Sequence, residues 1–243
     1  MLLLLWTACA APTPTGPFSH VLWTETLAAY VDAKGRVDYK GLQEHREGID
    51  AYVALVAASS PALHPERFPT RNEKLAYYLN AYNAYAIQGV IDRPGLKGVN
   101  QSRWMMFSFF YLTQVTVGQK WMSLHGLEND VIRSQFPDPY VHFALNCNSV
   151  GCPRLPQEAF VPERLPEQLE AAALEFCQDP GKVQVEGTLL KVSQIFEWYG
   201  SDFDTAGGVV AFIRNYRPDL PADLSLSYIP YDWTLIAQEG REP

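Results

Sequence analysis

Basic clusters are missing from this chain, and histidine and cysteine are scarce, with five and four residues among 243. Lys and Arg number 19 against 27 Asp and Glu, for a formal charge of -8. Without a run of Lys or Arg to displace phosphate counterions, the sequence excludes a nucleic-acid partner and an electrostatic docking face for anionic membranes. It shows no internal repeat, and its helical and strand-like segments lack the alternation of a βαβ unit. A solenoid and a doubly wound parallel sheet are therefore set aside. Long apolar runs are also lacking: the opening Leu2-Leu3-Leu4-Leu5-Trp6 is too short to span a bilayer. What is present is a hydrophobic fraction of 47% with 13% aromatics, ample for a large core.

The opening run ends in Thr7-Ala8-Cys9 and is followed by the Pro/Thr-rich stretch 10–18. Small residues before a cysteine, with a polar tether behind it, resemble a bacterial lipoprotein signal with Cys9 as the lipidated residue. The expectation is an extracytoplasmic protein, in the periplasm or cell envelope, anchored through Cys9 and touching the membrane only through that lipid. Residues 1–18 are then signal and tether, and 19–243 a single globular domain. With Cys9 set aside, Cys147, Cys152 and Cys177 remain. An odd number in an oxidising compartment leaves at least one thiol unpaired. Cys177 lies in a helical run and reads as a small core hydrophobe.

Along the body, helical patterns occupy 22–31 and 47–58, and Gly35 to Tyr39 reads as a short extended piece. Three prolines at 61–69 break the chain before the longest helical signal. Thr70 and Glu73 form a capping-box pattern there, and the helix is expected to run to Ile91 with so little polar surface that protein encloses it on most sides. Residues 106–116 mix aromatic and β-branched types, and a helix is expected over 123–136. A buried strand is expected over 141–146, a helix over 166–178, a hairpin through 183–190, and short helices near 194–200 and 209–216. The fold class is α+β: one domain with a buried central helix, surrounding helices and a small, mainly antiparallel sheet.

The richest segment runs from Asp138 to Pro153, where His142 stands in an apolar run and Cys147 and Cys152 flank an Asn148-Ser149-Val150-Gly151 turn. Other motifs are Tyr30-Val31-Asp32 with Gly35-Arg36-Val37-Asp38-Tyr39, the run from Lys74 to Ala84 around Asn80 and Asn83, Trp198-Tyr199 with Asp202-Phe203, and Tyr231-Asp232-Trp233. Together these segments resemble the family catalogued as domain of unknown function 547, over about residues 20 to 234. The resemblance implies a shared fold and a shared polar cluster, and no activity. The chain departs from the family pattern at Tyr140, where arginine is usual, and at Tyr78, where tryptophan is frequent. The first change removes a candidate anion contact.

The candidate chemistry is thiol-dependent hydrolysis or acyl transfer. Cys147 or Cys152 is the nucleophile, His142 the base, and the amide of Asn80 or Asn83 orients that base or stabilises an oxyanion. A regular strand would oppose the nearer pairing. Five steps from residue 142 to 147 separate the backbones by about 16 Å and point the side chains to opposite faces. A local Cys147–Cys152 disulfide competes with the thiol reading. So does a structural role in which Asn80 and Asn83 tie loop backbone to the helix. A zinc set of His142, Cys147, Cys152 and Cys177 is the least favoured arrangement. His20, His45, His64 and His125 are expected to be solvated, and Asp202 and Asp232 to cap helices or bond buried amides. The alternative to an enzyme is a non-catalytic lipoprotein module, for binding or scaffolding, with a structural His/Cys/Asn cluster. The sequence implies no cofactor, and the ligand class is a small molecule or peptide.

Overall fold

The computed structural model describes residues 16–99 and 106–243. Its organising element is helix α4, Arg71–Ile91, which opens on the capping box: the Thr70 hydroxyl accepts from the Glu73 N–H, and the Glu73 carboxylate accepts from the Thr70 N–H. Every residue of the helix from Leu75 to Ile91 except Gln88 is buried, because Ala at 76, 81, 84 and 86 lets neighbouring elements approach while four tyrosines fill the gaps between them. Helix α1 (Val21–Tyr30) packs on α2 (Tyr39–Glu44) and α3 (Glu47–Ala58), and α2 and α3 pack on α4. The short helix α5 (Met106–Leu112) leads into the hairpin β1 (Gln114–Val117) and β2 (Lys120–Ser123).

The expected helix over 123–136 divides into two forms. A turn of α-helix, α6 (Leu124–Gly126), passes into a π-helix at Leu127–Arg133. The wider π turn, a rare form frequently found at functional sites, brings Glu128, Asn129 and Arg133 to line one cavity.

The strand expected over 141–146 is corrected. Pro139–Phe143 is a 3-10 helix, with the Asp138 side chain accepting from the Tyr140 N–H at 3.1 Å and Pro139 in its first turn. Asp followed by Pro is a helix-start signal, since the carboxylate satisfies an orphan donor and proline carries the helical φ in advance. That local chemistry outweighs the apolar run that suggested a strand.

A second apolar cluster follows. Helix α7 (Leu165–Gln178) packs with β3 (Val183–Glu186), β4 (Leu189–Ser193), α8 (Ile195–Trp198) and α9 (Val209–Arg214) around Phe143, Phe196, Phe203 and Phe212. Strand β4 pairs antiparallel with β3 and parallel with β5 (Ser225–Ile229), so the three-stranded sheet is mixed. Helices with two small sheets make the class α+β, as expected. Among the described residues no helix is long and apolar enough to cross a membrane. Cys9 lies outside them.

Candidate functional site

After the 3-10 helix the chain turns into the cysteine loop, and α4 holds that turn. Asn83 Nδ2 donates to the Ala144 carbonyl and its Oδ1 accepts from the Asn146 N–H, both at 2.9 Å. One turn earlier Asn80 does the same for another loop, donating to the Phe160 carbonyl at 2.7 Å and accepting from the Phe160 N–H at 3.0 Å. Each buried amide thus replaces a β-ladder partner for backbone that would otherwise be unsatisfied. Neither side chain lines the cavity described below. In the structure the two asparagines are therefore backbone clamps, not groups aimed at a reacting atom.

His20, expected to be solvated, is buried at 8% exposure. Its Nδ1 lies 2.8 Å from the Tyr52 hydroxyl and 3.2 Å from Asn80 Nδ2. Burial lowers its pKa to about 4, which keeps the ring neutral. The sequence around it carries no signal for this, because the enclosing groups come from α3 and α4.

Asn146 and Asn148 shape the loop. Asn146 Nδ2 donates to the Pro153 carbonyl at 2.7 Å and Oδ1 accepts from the Asn148 N–H at 2.7 Å. Asn148 takes a left-handed conformation, φ 66°, which asparagine tolerates better than most residues. The C-terminal segment runs along the loop: Val150 N–H donates to the Thr234 carbonyl, Gly151 N–H to the Asp232 carbonyl, and Ile236 N–H to the Asn148 carbonyl. At Gly151 an added Cβ would lie 2.6 Å from the Tyr231 ring. Glycine at this point lets the phenol lie against the loop.

Within the loop Cys147 and Cys152 are joined as a disulfide. Cys152 Sγ is buried and accepts from the Cys147 N–H at 3.0 Å, the Ser149 N–H at 3.4 Å and the Tyr231 hydroxyl at 3.1 Å. Cys147 is half-buried, with its Sγ also 3.1 Å from the Tyr231 hydroxyl. In this oxidised form neither sulfur is a thiolate, so the nucleophile expected at Cys147 or Cys152 does not exist until the bond is reduced. Cys177 is a buried free thiol in the second cluster, pushed up to about 12 by burial, as suits a core residue.

The disulfide borders a cavity of about 440 Å³. His142, Tyr82, Glu128, Arg133 and Tyr199 line one part, and Trp198, Tyr231 and Trp233 another. His142 Nε2 lies 2.8 Å from Asp202 Oδ2, and Arg133 grips the same carboxylate with Nε and Nη2, each at 2.8 Å. The His142 hydrogen bond, with Arg133 behind it, holds the Asp202 carboxyl well below the usual carboxylate range. The His142 ring stacks on Tyr199 at 4.1 Å, and the Arg133 guanidinium lies over the same Tyr199 ring, 4.8 Å from its centroid. Tyr199 and Tyr82 both donate to Glu128, at 2.6 and 3.0 Å. Burial first, and Glu128 second, push both phenols far above their ordinary range, so they stay neutral donors. Trp198 and Trp233 stack at 5.5 Å beside Tyr231.

The structure thus brings His142, Cys147 and Cys152 to one cavity and leaves Asn80 and Asn83 outside it. Asp202, expected to cap a helix or bond an amide, is instead the shared partner of a histidine and an arginine. Asp232, expected to cap a helix or bond a buried amide, is exposed and accepts from the Thr234 N–H in a local turn. Tyr140, where the family pattern has arginine, turns away to bond Tyr216 at 2.8 Å and pack on Phe212. Sequence reasoning missed Glu128 and Arg133, and the paired tyrosines that Glu128 holds. Their signal was faint: charges in a run read as a helix, at a spacing that only the π turn makes convergent. Among the described residues no group of three or more His, Cys, Asp or Glu side chains is placed to hold a metal ion.

No curated protein and no solved structure matches the chain. A family model does match, over residues 66–177, a span holding α4, the cysteine loop and almost all of α7. The flanking motifs at 30–39, 198–203 and 231–233 lie beyond the matched span. The matching model is that of the family described as Protein of unknown function, DUF547.

Proposed function

We propose that the chain is an extracytoplasmic binding module, tethered through a lipid on Cys9, whose aromatic cleft takes a small molecule or peptide side chain bearing a ring. The observation that carries the reading is the cleft itself: about 440 Å³, lined by Trp198, Tyr231 and Trp233 together with the Glu128, Arg133 and His142 groups. Indole and phenol faces gain from stacking on a flat apolar surface, while fixed polar groups orient the ligand. Binding is favoured over thiol hydrolysis because Cys147 and Cys152 are joined and the Asn80 and Asn83 amides are occupied by backbone. A local disulfide also suits an oxidising compartment.

The test is a fragment screen by NMR, using indole-type and saccharide rings and following the indole N–H signals of Trp198 and Trp233. Binding should shift both signals, and Trp233→Ala should abolish the shift of Trp198. Shifts that map away from both indoles, or none from either ring class at millimolar concentration, would reject the cleft as the binding site. Release of product from ester or amide substrates by the oxidised protein would restore the hydrolase reading.

A further inference from the structure

We propose that Cys147–Cys152 is a redox-active disulfide that exchanges with dithiols, with Cys147 as the sulfur that receives the incoming thiolate and Cys152 as the sulfur that leaves. The inference goes beyond ligand binding, although it uses the same cleft.

The two sulfurs are not equivalent. Both border the cavity, but Cys147 is half-buried, whereas Cys152 is 3% exposed and enclosed by donors. Two backbone N–H groups point at Cys152 Sγ alone, and the Tyr231 hydroxyl lies 3.1 Å from it and equally near Cys147 Sγ. A disulfide sulfur has little need of three donors, since it is a weak acceptor, but a thiolate at that position would be held by all of them. Exchange runs faster when the departing thiolate is stabilised, and the reduced state is then favoured at equilibrium. The cradle is built into the fold. Asn83 fixes the backbone at Asn146, Asn148 supplies the left-handed turn, and Gly151 makes room for Tyr231.

The exchange balances as follows. One thiol of a dithiol loses its proton to water, and the resulting thiolate attacks Cys147 Sγ, forming a mixed disulfide, while the Cys147–Cys152 bond breaks and its electron pair goes to Cys152. The second thiol of the dithiol, after losing its proton to water, attacks its own partner sulfur and releases Cys147, which takes a proton. Two electrons pass from dithiol to protein, the dithiol becomes a disulfide, and Cys152 remains as thiolate with one proton left in water. The substrate class is a dithiol carried by a peptide or protein segment that reaches the cleft. Cys177 takes no part, being buried in the other cluster.

The experiment uses the full chain, purified without reductant, with dithiothreitol and a reduced Cys-X-X-Cys peptide as probes. Wild-type protein should be reduced while folded, followed by the fluorescence of Trp198 and Trp233, and Tyr231→Phe should slow the reaction about ten-fold by removing one donor. After reduction, thiolate absorbance should show one group titrating at least a unit below an ordinary cysteine, lost in Cys152→Ser and kept in Cys147→Ser. With oxidised glutathione, Cys152→Ser should accumulate a mixed disulfide at Cys147. Reduction that occurs only on unfolding, or two ordinary thiol titrations, would overturn the proposal. A mixed disulfide that forms faster at Cys152 than at Cys147 would overturn the assigned roles. Ring fragments tested on the same variants separate this proposal from the binding reading. Retained fragment binding without exchange rejects exchange alone, and exchange without fragment binding rejects the cleft as a ligand site alone.

Discussion

Replacing Asn83 by alanine tests how the site is held. The amide lies on α4 at 2% exposure and makes two bonds to loop backbone, one to the Ala144 carbonyl and one from the Asn146 N–H. Ala144 and Asn146 are themselves each 3% exposed, so water does not replace the lost partners. A buried backbone group left unpaired costs about 1–3 kcal/mol, and two such groups give about 2–6 kcal/mol for Asn83→Ala. Urea unfolding monitored by circular dichroism, with the disulfide intact in both proteins, measures the difference. Asn83→Asp adds a directional check. It retains an acceptor for Asn146 but turns a carboxylate oxygen toward the Ala144 carbonyl, so its folded-state pKa is raised and the variant loses stability as pH rises through the carboxylate range. A loss below about 1 kcal/mol for Asn83→Ala would refute the clamp, because that is the value of an ordinary exposed hydrogen bond.

Three other outcomes follow from the geometry. The pKa of His20, lowered to about 4 by burial, lies below its unfolded value, so its contribution is complete above about pH 6.5 and is lost as pH falls toward 4. The loss reaches about 1.4 kcal/mol per pH unit, and comparing urea midpoints with those of His20→Gln should show the slope only in the wild type. Asp202 has a depressed pKa, so its stabilisation is present above the ordinary carboxylate range and lost as pH falls below it. Asp202→Asn should therefore lower the stability at pH 7 by about 1.5–3 kcal/mol, as for hydrogen bonds to charged groups, and the difference from wild type should shrink as pH falls below the ordinary carboxylate range. Gly151→Ala places a methyl group against the Tyr231 ring. It should cost about 1–3 kcal/mol as an overpacked site does and change the emission of Trp198 and Trp233, whereas unchanged emission would mean that the ring does not rest on the loop.

The parts of the fold legible in the sequence are those governed by local chemistry. The capping box at Thr70 and the continuous apolar surface after it locate α4 to its last residue, and α3 is found at Glu47–Ala58. The β3–β4 hairpin follows from alternation around Gly187, whose φ is positive. The 3-10 helix at Pro139–Phe143 was misread because an apolar run of this length fits strand and buried helix equally. Strand β5 was missed because its partner, β4, lies over thirty residues upstream and pairs in parallel, so no turn announces it. At the site, His142, Cys147 and Cys152 were visible as a cluster within one segment. Tyr231, which contacts both sulfurs, and Asp202, which joins His142 to Arg133, act across intervals of sixty residues or more. No local pattern encodes them. The amides of Asn80 and Asn83 were recognised as needing partners, but not which backbone would supply them.

The state of the three cysteines in the described domain bears most directly on the account. Native protein purified without reductant is treated with iodoacetamide, digested without reduction and mapped by mass spectrometry. The account predicts a linked peptide containing Cys147 and Cys152, and a Cys177 that stays unlabelled until denaturant is added. Rapid labelling of Cys147 or Cys152 in the folded, unreduced protein would contradict it, returning a free thiol to the cavity beside His142 and thiol-dependent hydrolysis to first place.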